Sequence, residues 1–352
     1  MRFQPLQVRM AICVLVLGVF ASFASTGLAQ SPNPILPGPK PPDAPQEWKS
    51  WIGDYFGEGH NTNIILERGQ KLWLSEKGVG EWRLEERAKN EFVSDKASDM
   101  HVSIDQDGSL ILNDALFARR DYGVDASSVA RISPLKPIEE LRAAAMVAKP
   151  PDEKGVFRKP DLVELAPLNT NIHLDIRYAT TNDFLGTPVY SQARAFLQRP
   201  AAEALLRALQ KLKPLGYGLL IHDAYRPWYV TKIFWDATPS EGKIFVADPA
   251  QGSRHNRGCA VDLTLYDLAT GKSIEMPGTY DEMSPRSYPD YPGGTSLQRW
   301  HRDLLRRAME SEGFTVYEAE WWHFDYKDWK EYPILNVPFE KLGLDARAAT
   351  VN

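Results

Sequence analysis

The stretch that decides the fold and the site is Ser253-Arg254-His255-Asn256-Arg257-Gly258-Cys259-Ala260-Val261-Asp262, and downstream it is matched by Glu320-Trp321-Trp322-His323. Together the two segments supply two imidazoles and two carboxylates. A catalytic zinc site uses three such protein ligands and keeps one position open. The fourth group can then act as a general base beside the metal. The pattern therefore predicts a zinc hydrolase.

The first segment is expected to be a loop that leads into a strand. Val261–Leu265 alternates apolar and polar residues, which is typical of a half-buried strand. A histidine in the preceding loop, His255, can then face Asp262 at the start of the strand. An alternative stays open at this point: His255 and Asp262 could be ordinary buried polar groups that hydrogen-bond to each other.

The second segment, Glu320–Phe324, is rich in aromatic residues and is interpreted as another strand. Side chains three residues apart point to opposite faces of a regular strand. Glu320 and His323 can therefore reach one metal ion only if the strand carries a bulge or a strong twist. The alternative reading places Glu320 on the surface.

Both segments resemble the signature of the zinc D-alanyl-D-alanine dipeptidases, a family that includes the vancomycin-resistance dipeptidase. The resemblance rests on Ser253-x-His255-x-x-Gly258-x-Ala260-x-Asp262 and on Glu320-x-Trp322-His323. It extends over roughly Leu162 to Leu342. Within that range the further similar segments are Asp175–Gly186, Asp223–Pro227, Asp262–Leu265 and Tyr280–Met283.

The resemblance implies a role for each matching residue. One Zn2+ per catalytic domain is bound by His255, Asp262 and His323. Glu320 acts as general base for the attack of water on the peptide carbonyl. Arg226 stabilises the oxyanion that this attack creates. From the residues alone, Arg226 could also be a surface turn residue.

Two further residues match family positions that surround the ends of the substrate, namely Ser253 and Asp281. Asp281 is expected to pair with the free ammonium group. The resemblance thus implies a small D-dipeptide as substrate and hydrolysis of D-alanyl-D-alanine in peptidoglycan turnover as the activity. Two alternatives stay open: a D,D-carboxypeptidase or endopeptidase that acts on peptidoglycan stem peptides, and a zinc-stabilised binding module without catalysis.

Four regions are predicted along the chain, beginning with a signal peptide over residues 1–29. Residues 47–133 contain short strands separated by turn residues and predict a small all-β meander or barrel. Prolines at both ends of residues 134–160 mark a linker with a short helix. Residues 161–345 mix strands with amphipathic helices and predict an α+β catalytic domain, with an antiparallel sheet flanked by helices.

The amino-terminal segment has Arg2 and Arg9, then an apolar run from Met10 to Ala24, then a small-residue ending at Ala29. This pattern predicts a cleaved export signal and an exported protein, periplasmic or secreted, without stable insertion into the membrane. A retained anchor is the alternative.

Composition narrows the range of partners. The chain has a formal net charge of −5 and no basic block, which argues against nucleic acid as a partner. Its two cysteines are Cys13, within the predicted signal, and Cys259. Cys259 is expected to be a packed small residue, although a role as ligand or nucleophile stays open. The expected partners are therefore a small dipeptide and, as a second candidate, peptidoglycan.

Overall fold

The computed structural model describes residues 34–59, 61–96, 100–121 and 131–343. The predicted signal peptide over residues 1–29 lies outside this part of the chain. In the described part, no helix is both long and apolar enough to cross a bilayer.

The amino-terminal region folds as a closed barrel of eight antiparallel strands. The strands are β1 (Gly53–Phe56), β2 (Asn63–Glu67), β3 (Leu72–Glu76), β4 (Gly80–Ala88), β5 (Glu91–Ser94), β6 (His101–Ile104), β7 (Leu110–Leu112) and β8 (Ala115–Arg119). The predicted β meander or barrel is thus confirmed. The structure adds β1 and β8, which pair with each other and close the barrel. Closure leaves no open sheet edge.

Apolar side chains fill the barrel and form a hydrophobic cluster of their own. Tyr55, Leu74 and Leu110 are fully buried within it. The ring of Trp51 meets that of Phe92 edge to face, with centroids 5.1 Å apart. This inner filling by alternate strand residues is what stabilises a small closed barrel.

The carboxy-terminal region contains a five-stranded sheet of order β10-β12-β13-β15-β14 and a separate pair formed by β9 and β11. The strands are β9 (Leu162–Glu164), β10 (Ile172–Leu174), β11 (Phe196–Gln198), β12 (Tyr217–Asp223), β13 (Ala260–Asp267), β14 (Phe314–Tyr317) and β15 (Glu320–Tyr326). The predicted α+β class is confirmed. The sheet is antiparallel as predicted except at one edge, where β10 pairs with β12 in parallel.

Within the described ranges, five helices accompany the strands: α1 (Gln46–Lys49), α2 (Ile138–Val147), α3 (Arg199–Leu212), α4 (Trp228–Ala237) and α5 (Ser296–Glu310). α3 and α5 pack against each other and against the sheet, and α2 packs against α4. α5 begins at a capping box, in which Thr295 and Gln298 each accept a backbone N–H of the other. Strand β13 is buried on both faces. The expectation of a half-buried strand over Val261–Leu265 is therefore wrong.

Glu67 at the end of β2 ties the barrel to the start of α5. This side chain is fully buried. Its carboxylate accepts the backbone N–H of Ser296 at 2.6 Å, and its carbonyl oxygen accepts a hydrogen bond from Arg299 at 2.6 Å. A carboxylate at a helix N-terminus is favourable because the helix dipole is positive there. Asp54 on β1 adds a hydrogen bond from the hydroxyl of Tyr291.

The region between barrel and sheet contains α2 and then an extended stretch that reaches the sheet domain. Its anchor is Glu153, which accepts a hydrogen bond from Arg257 at 2.6 Å and another from the backbone N–H of Ile334 at 2.6 Å. The proline-rich linker therefore contacts the segment that follows His255.

Candidate metal centre and its cleft

The three predicted metal ligands lie together where β13 and β15 run side by side. Asp262 on β13 pairs directly with His323 on β15, so the two side chains lie on the same face of the sheet. His255 reaches the same point from a 3-10 turn, His255–Arg257, just before β13. All three side chains are buried.

One atom of each side chain converges on a common centre. His255 Nε2 lies 3.1 Å from His323 Nδ1 and 3.4 Å from Asp262 Oδ1. His323 Nδ1 lies 3.1 Å from Asp262 Oδ1. Tetrahedral coordination with bonds of about 2.0–2.2 Å places ligand atoms about 3.3–3.6 Å apart, close to this spacing. The cluster can hold a metal ion of this size after very small shifts.

Both histidines have their other ring nitrogen occupied by an acceptor. His255 Nδ1 donates to the carbonyl oxygen of Ala224 at 2.6 Å. His323 Nε2 donates to Asp325 Oδ1 at 2.9 Å, and Asp325 Oδ2 accepts from Arg254 at 2.6 Å. These bonds fix the rings and direct the lone pairs of His255 Nε2 and His323 Nδ1 at the centre. Outer partners of this kind are usual for metal-binding histidines.

Asp262 shows most directly that a cation fits. Its Oδ1 atom is buried and has no hydrogen-bond partner among the described residues. Such an oxygen is costly to bury unless it binds a donor or a metal. Its Oδ2 atom accepts only a long hydrogen bond, 3.4 Å, from Tyr280. The donor set of two imidazoles and one carboxylate is one that zinc uses in catalytic sites.

The electrostatics of the cluster favour a bound positive charge. Burial lowers the pKa of His323, but the neighbouring carboxylates of Asp262 and Asp325 outweigh burial and raise that pKa to about 10. Burial raises the pKa of Asp262, whereas His255 and His323 lower it far below its usual range. The two carboxylates therefore favour a positive charge at the cluster, and a metal ion would compete with a proton for His323.

Glu320 lies beside the cluster and outside it. It pairs with Tyr317 at the hairpin end, and the next pair along is Val316 with Phe324, so of the bulge or twist expected for this strand the structure has a bulge. Glu320 Oε2 lies 3.6 Å from His323 Nδ1. The side chain is 26% exposed, and the described residues offer its carboxylate no hydrogen bond. Its oxygens are thus available to a molecule in the cleft.

Burial also shapes the acidity of Glu320. It raises the pKa of this carboxyl to about 8, against an opposing effect of His323. A cation in the cluster would lower that pKa again, since nearby positive charge favours the carboxylate form.

Arg226 is held rigidly at the cleft wall. Its Nε and Nη2 atoms donate to Asp223 Oδ2 at 3.0 and 2.7 Å. Its guanidinium also lies over the rings of Tyr178 and Phe234, at 5.3 and 4.9 Å from their centroids. Asp223 is itself fixed by the hydroxyl of Tyr190, at 2.7 Å. The interpretation of Arg226 as a surface turn residue is wrong, since it is 8% exposed.

Asp281 lines the same cavity and has an unusual backbone. Its φ of 62° is in the left-handed region that few non-glycine residues adopt. Its Oδ2 accepts a hydrogen bond from the hydroxyl of Tyr178 at 3.1 Å. Burial, with the charge of Asp262, raises its pKa to about 7. The next residue, Glu282, locks the loop through a two-bond ion pair with Arg286, at 2.6 and 2.7 Å.

The loop Ser253–Cys259 carries His255 and is called the metal loop; Ser253 and Cys259 are its first and last residues. The hydroxyl of Ser253 accepts the backbone N–H of His255 at 3.2 Å, so it shapes the turn while also lining the cavity. Cys259 is fully buried, and its thiol contacts the carbonyl oxygen of Arg257. Burial raises the pKa of the thiol to about 12, and the sulfur is outside the cluster. A packed role for Cys259 accounts for all of this.

The cavity in front of the cluster has a volume of about 440 Å³. This is within the usual range for small-ligand sites. It is lined by Asp262, His323, Glu320, Arg226 and Asp281, among others. The structure therefore brings the predicted ligands, the predicted base and the predicted substrate-binding residues to one cleft.

Sequence reasoning did not assign three residues that support this cleft: Asp223, Asp325 and Tyr178. The signal for Asp325 was present, because residues two apart on a strand share a face and Asp325 follows His323 by two. Tyr178 lies in a 3-10 turn after β10, and nothing local predicts its contact with Asp281.

Replacing Gly258 with Ala is expected to destabilise the metal loop. Gly258 has a φ of 67°, and an added Cβ would lie 2.5 Å from a methyl group of Leu162. We expect the free energy of unfolding to fall by about 2–4 kcal/mol, combining left-handed strain with a clash. The matched control is Gly271→Ala, which has a φ of 72° and open space around it. It should cost only the strain, about 1–2 kcal/mol in urea unfolding. Equal losses would contradict the close packing at Gly258.

Comparison with known proteins places this site in context. The family model Peptidase_M15, described as D-ala-D-ala dipeptidase, matches residues 158–341. The D-alanyl-D-alanine dipeptidase of Escherichia coli K12 is 35% identical over 179 residues, which cover 51% of this chain and 91% of the relative. The enzyme of the same description from Enterococcus faecium is 36% identical over 180 residues, 46% of this chain and 89% of the relative. The D-alanyl-D-alanine dipeptidase of Streptomyces coelicolor is 34% identical over 186 residues, which cover 48% of this chain and 92% of the relative. The barrel lies outside the range that the family model matches.

Proposed function

The chain belongs to the peptidase M15 family of D-alanyl-D-alanine dipeptidases, and from this we propose that it is a zinc-dependent dipeptidase that hydrolyses D-alanyl-D-alanine. One observation carries the proposal. The three converging atoms of His255, Asp262 and His323 lie next to Glu320, whose carboxylate has no hydrogen bond within the described structure.

We assign the metal to three atoms: His255 Nε2, Asp262 Oδ1 and His323 Nδ1. When bound there, zinc supplies Lewis-acid polarisation of the peptide carbonyl and lowers the pKa of water. The unpartnered Oδ1 of Asp262 supports this assignment, as do the outer hydrogen bonds that orient the two rings.

Glu320 is proposed to move the proton. It accepts a proton from the attacking water as the water oxygen bonds to the carbonyl carbon. It then gives that proton to the amide nitrogen as the C–N bond breaks, so that the second D-alanine leaves as a neutral amine. A carboxylate that is near the metal ligands without being one of them suits this task.

Arg226 is proposed to stabilise the negative charge that develops on the carbonyl oxygen. Asp223 engages Nε and Nη2 of the guanidinium, so the remaining Nη1 edge is available to the substrate. A donor held in place before the reaction costs no reorganisation during it. The ion pair with Asp223 supplies that rigidity.

Asp281 is proposed to bind the free ammonium group of the dipeptide, with Tyr178 holding the carboxylate in place. A buried ammonium group needs an opposite charge. This pairing favours a dipeptidase over an enzyme that acts on stem peptides, whose corresponding nitrogen is acylated and carries no charge.

The test compares free D-alanyl-D-alanine with its N-acetyl derivative, using zinc-loaded protein and D-alanine release as the measurement. We expect rapid release from the free dipeptide only. Asp281→Asn keeps a residue type that tolerates positive φ. It should lower kcat/KM for the free dipeptide about 10–100-fold, as expected for a lost charged hydrogen bond. Turnover of the acetylated compound alone would replace the dipeptidase proposal with the carboxypeptidase one.

We further propose that the chain works after export, in peptidoglycan turnover. The support is the predicted signal peptide over residues 1–29 and the small D-dipeptide implied by the site. We also propose an accessory β domain over residues 47–133, a linker over 134–160 and a catalytic domain over 161–345. Appearance of the protein, shortened after Ala29, in the periplasm or medium would support export.

A further inference from the structure

Three guanidinium groups line the cleft, and they differ in how fully their donors are used. Arg226 is paired with Asp223. Arg257 is 11% exposed and donates both to Glu153 and to the carbonyl oxygen of Tyr332. Arg254 is 35% exposed, and among the described residues its guanidinium makes only one hydrogen bond, from Nη1 to Asp325 at 2.6 Å. Its Nε and Nη2 donors remain available at the cavity wall.

Aromatic rings hold the Arg254 guanidinium in position. Its carbon Cζ lies 5.0 Å from the ring centroid of Trp329 and 5.5 Å from that of Tyr317. Tyr317 in turn packs against the ring of His323, at 5.4 Å. A guanidinium fixed by ring faces keeps its fork of donors, which matches the geometry of a carboxylate.

The sheet order separates Arg254 from the residues proposed to bind the ammonium group. Tyr178, the partner of Asp281, follows β10 at one edge of the sheet. Tyr317, beside Arg254, lies on β14 at the opposite edge. The strands that carry Asp262 and His323 lie between them. The cluster thus lies between Asp281, whose side also holds Arg226, and Arg254, whose side also holds Glu320.

A bound dipeptide carries charges in the same order. Its ammonium and carboxylate lie on opposite sides of the single peptide bond, and the carboxyl carbon is about 4 Å or less from the scissile carbonyl carbon. The carboxylate enters a cleft that already contains Asp262, Asp281 and Glu320. It therefore needs a cation on its own side, because an unpaired buried carboxylate is costly.

We propose that Arg254 binds the C-terminal carboxylate of the substrate and so restricts hydrolysis to peptides that end one residue after the scissile bond. The inference rests on the proposed dipeptidase function and deepens it. With Asp281 binding the ammonium group and Arg254 binding the carboxylate, the cleft accepts a peptide of two residues.

A purely structural role for Arg254 makes a different prediction. Arg254 also contacts Asp325, which orients His323. If that contact were its whole role, replacing Arg254 would slow every substrate to the same degree. A role in carboxylate binding instead affects only substrates that have a carboxylate.

The experiment uses the full zinc-loaded chain with D-alanyl-D-alanine and D-alanyl-D-alaninamide. We expect the kcat/KM of the unaltered protein to be at least about tenfold higher for D-alanyl-D-alanine than for the amide, because the amide lacks one charged hydrogen bond. Arg254→Gln should lower kcat/KM for the dipeptide about 10–100-fold, chiefly through KM, and the loss on the amide should be at least about tenfold smaller than the loss on the dipeptide. Arg254→Lys should recover part of the loss, because it restores the charge without the fork.

Equal losses on the two substrates would overturn the inference and assign Arg254 to the support of His323. No preference of the unaltered protein for the free carboxylate would also overturn it. If the unaltered protein hydrolyses neither compound, the proposed function fails and takes this inference with it. Each outcome is distinct, so the two proposals can fail separately.

Discussion

Replacing Glu320 with Gln is expected to lower kcat for D-alanyl-D-alanine by at least about two orders of magnitude, the usual scale for loss of a proton-transfer group. The amide has the same size as the carboxylate but cannot accept the proton of the attacking water. The metal ligands are untouched, so zinc content should remain unchanged. Steady-state kinetics together with metal analysis of the same preparation measures both effects.

The same hairpin supplies a matched control. Glu318 lies two residues earlier in the chain and is exposed to solvent. Glu318→Gln makes the same chemical change outside the cleft and should leave kcat within about twofold, as expected for surface substitutions. Unchanged turnover in Glu320→Gln would remove Glu320 from the mechanism, and it would revive the alternative of a binding module that only retains the metal.

Replacing Asp262 with Asn should abolish stable metal binding and, with it, activity. Asp262 supplies the only anionic ligand of the cluster, and its Oδ1 atom has no other partner within the described chain. The amide keeps the size but removes the charge that offsets the cation. We expect bound zinc after dialysis to fall from about one equivalent to below about one tenth.

Asp325→Asn is the comparison for Asp262→Asn, and a smaller loss of metal affinity is expected for it. Asp325 contacts His323 Nε2 but provides no atom to the centre. Its loss should weaken metal affinity or activity by about 10–100-fold, the usual effect of removing an outer partner. If the Asp262 variant kept full zinc and full turnover, the assignment of the ligands would be wrong.

The metal loop and the strands that follow it were predictable because their signals are local. The spacing of His255 and Asp262 around Gly258 indicated a loop that ends at a strand start, and the structure has that order. Glu320 and His323 are three residues apart on a strand and could share a face only through a bulge or a strong twist; the structure has a bulge. In both cases the constraint comes from backbone geometry within a few residues.

Other features depend on contacts between distant segments and gave no local signal. Helix α4, Trp228–Ala237, is rich in aromatic and β-branched residues and has no helical apolar stripe, because nearly all of its sides are buried. Strand β10 ends at Leu174, although apolar and polar residues alternate from His173 to Tyr178, since the chain turns into the 3-10 segment that carries Tyr178. Tertiary burial overrides local pattern in both places.

The supporting ion pairs were only partly predictable for the same reason. Arg226 and Asp223 are three residues apart, yet their bidentate contact depends on a turn after β12 that the sequence does not specify. Arg254 finds Asp325 across 71 residues of chain. The free donors of Arg254 follow only from its exposure and neighbours in three dimensions.

The most direct test of the account is a crystal structure of the zinc-loaded protein with anomalous scattering measured at the zinc edge. If zinc binds as proposed, a single strong peak should lie about 2.0–2.2 Å from each of three atoms, His255 Nε2, Asp262 Oδ1 and His323 Nδ1. Glu320 should lie outside bonding distance. A peak elsewhere in the molecule, or one coordinated by Glu320 in place of one of these atoms, would contradict it.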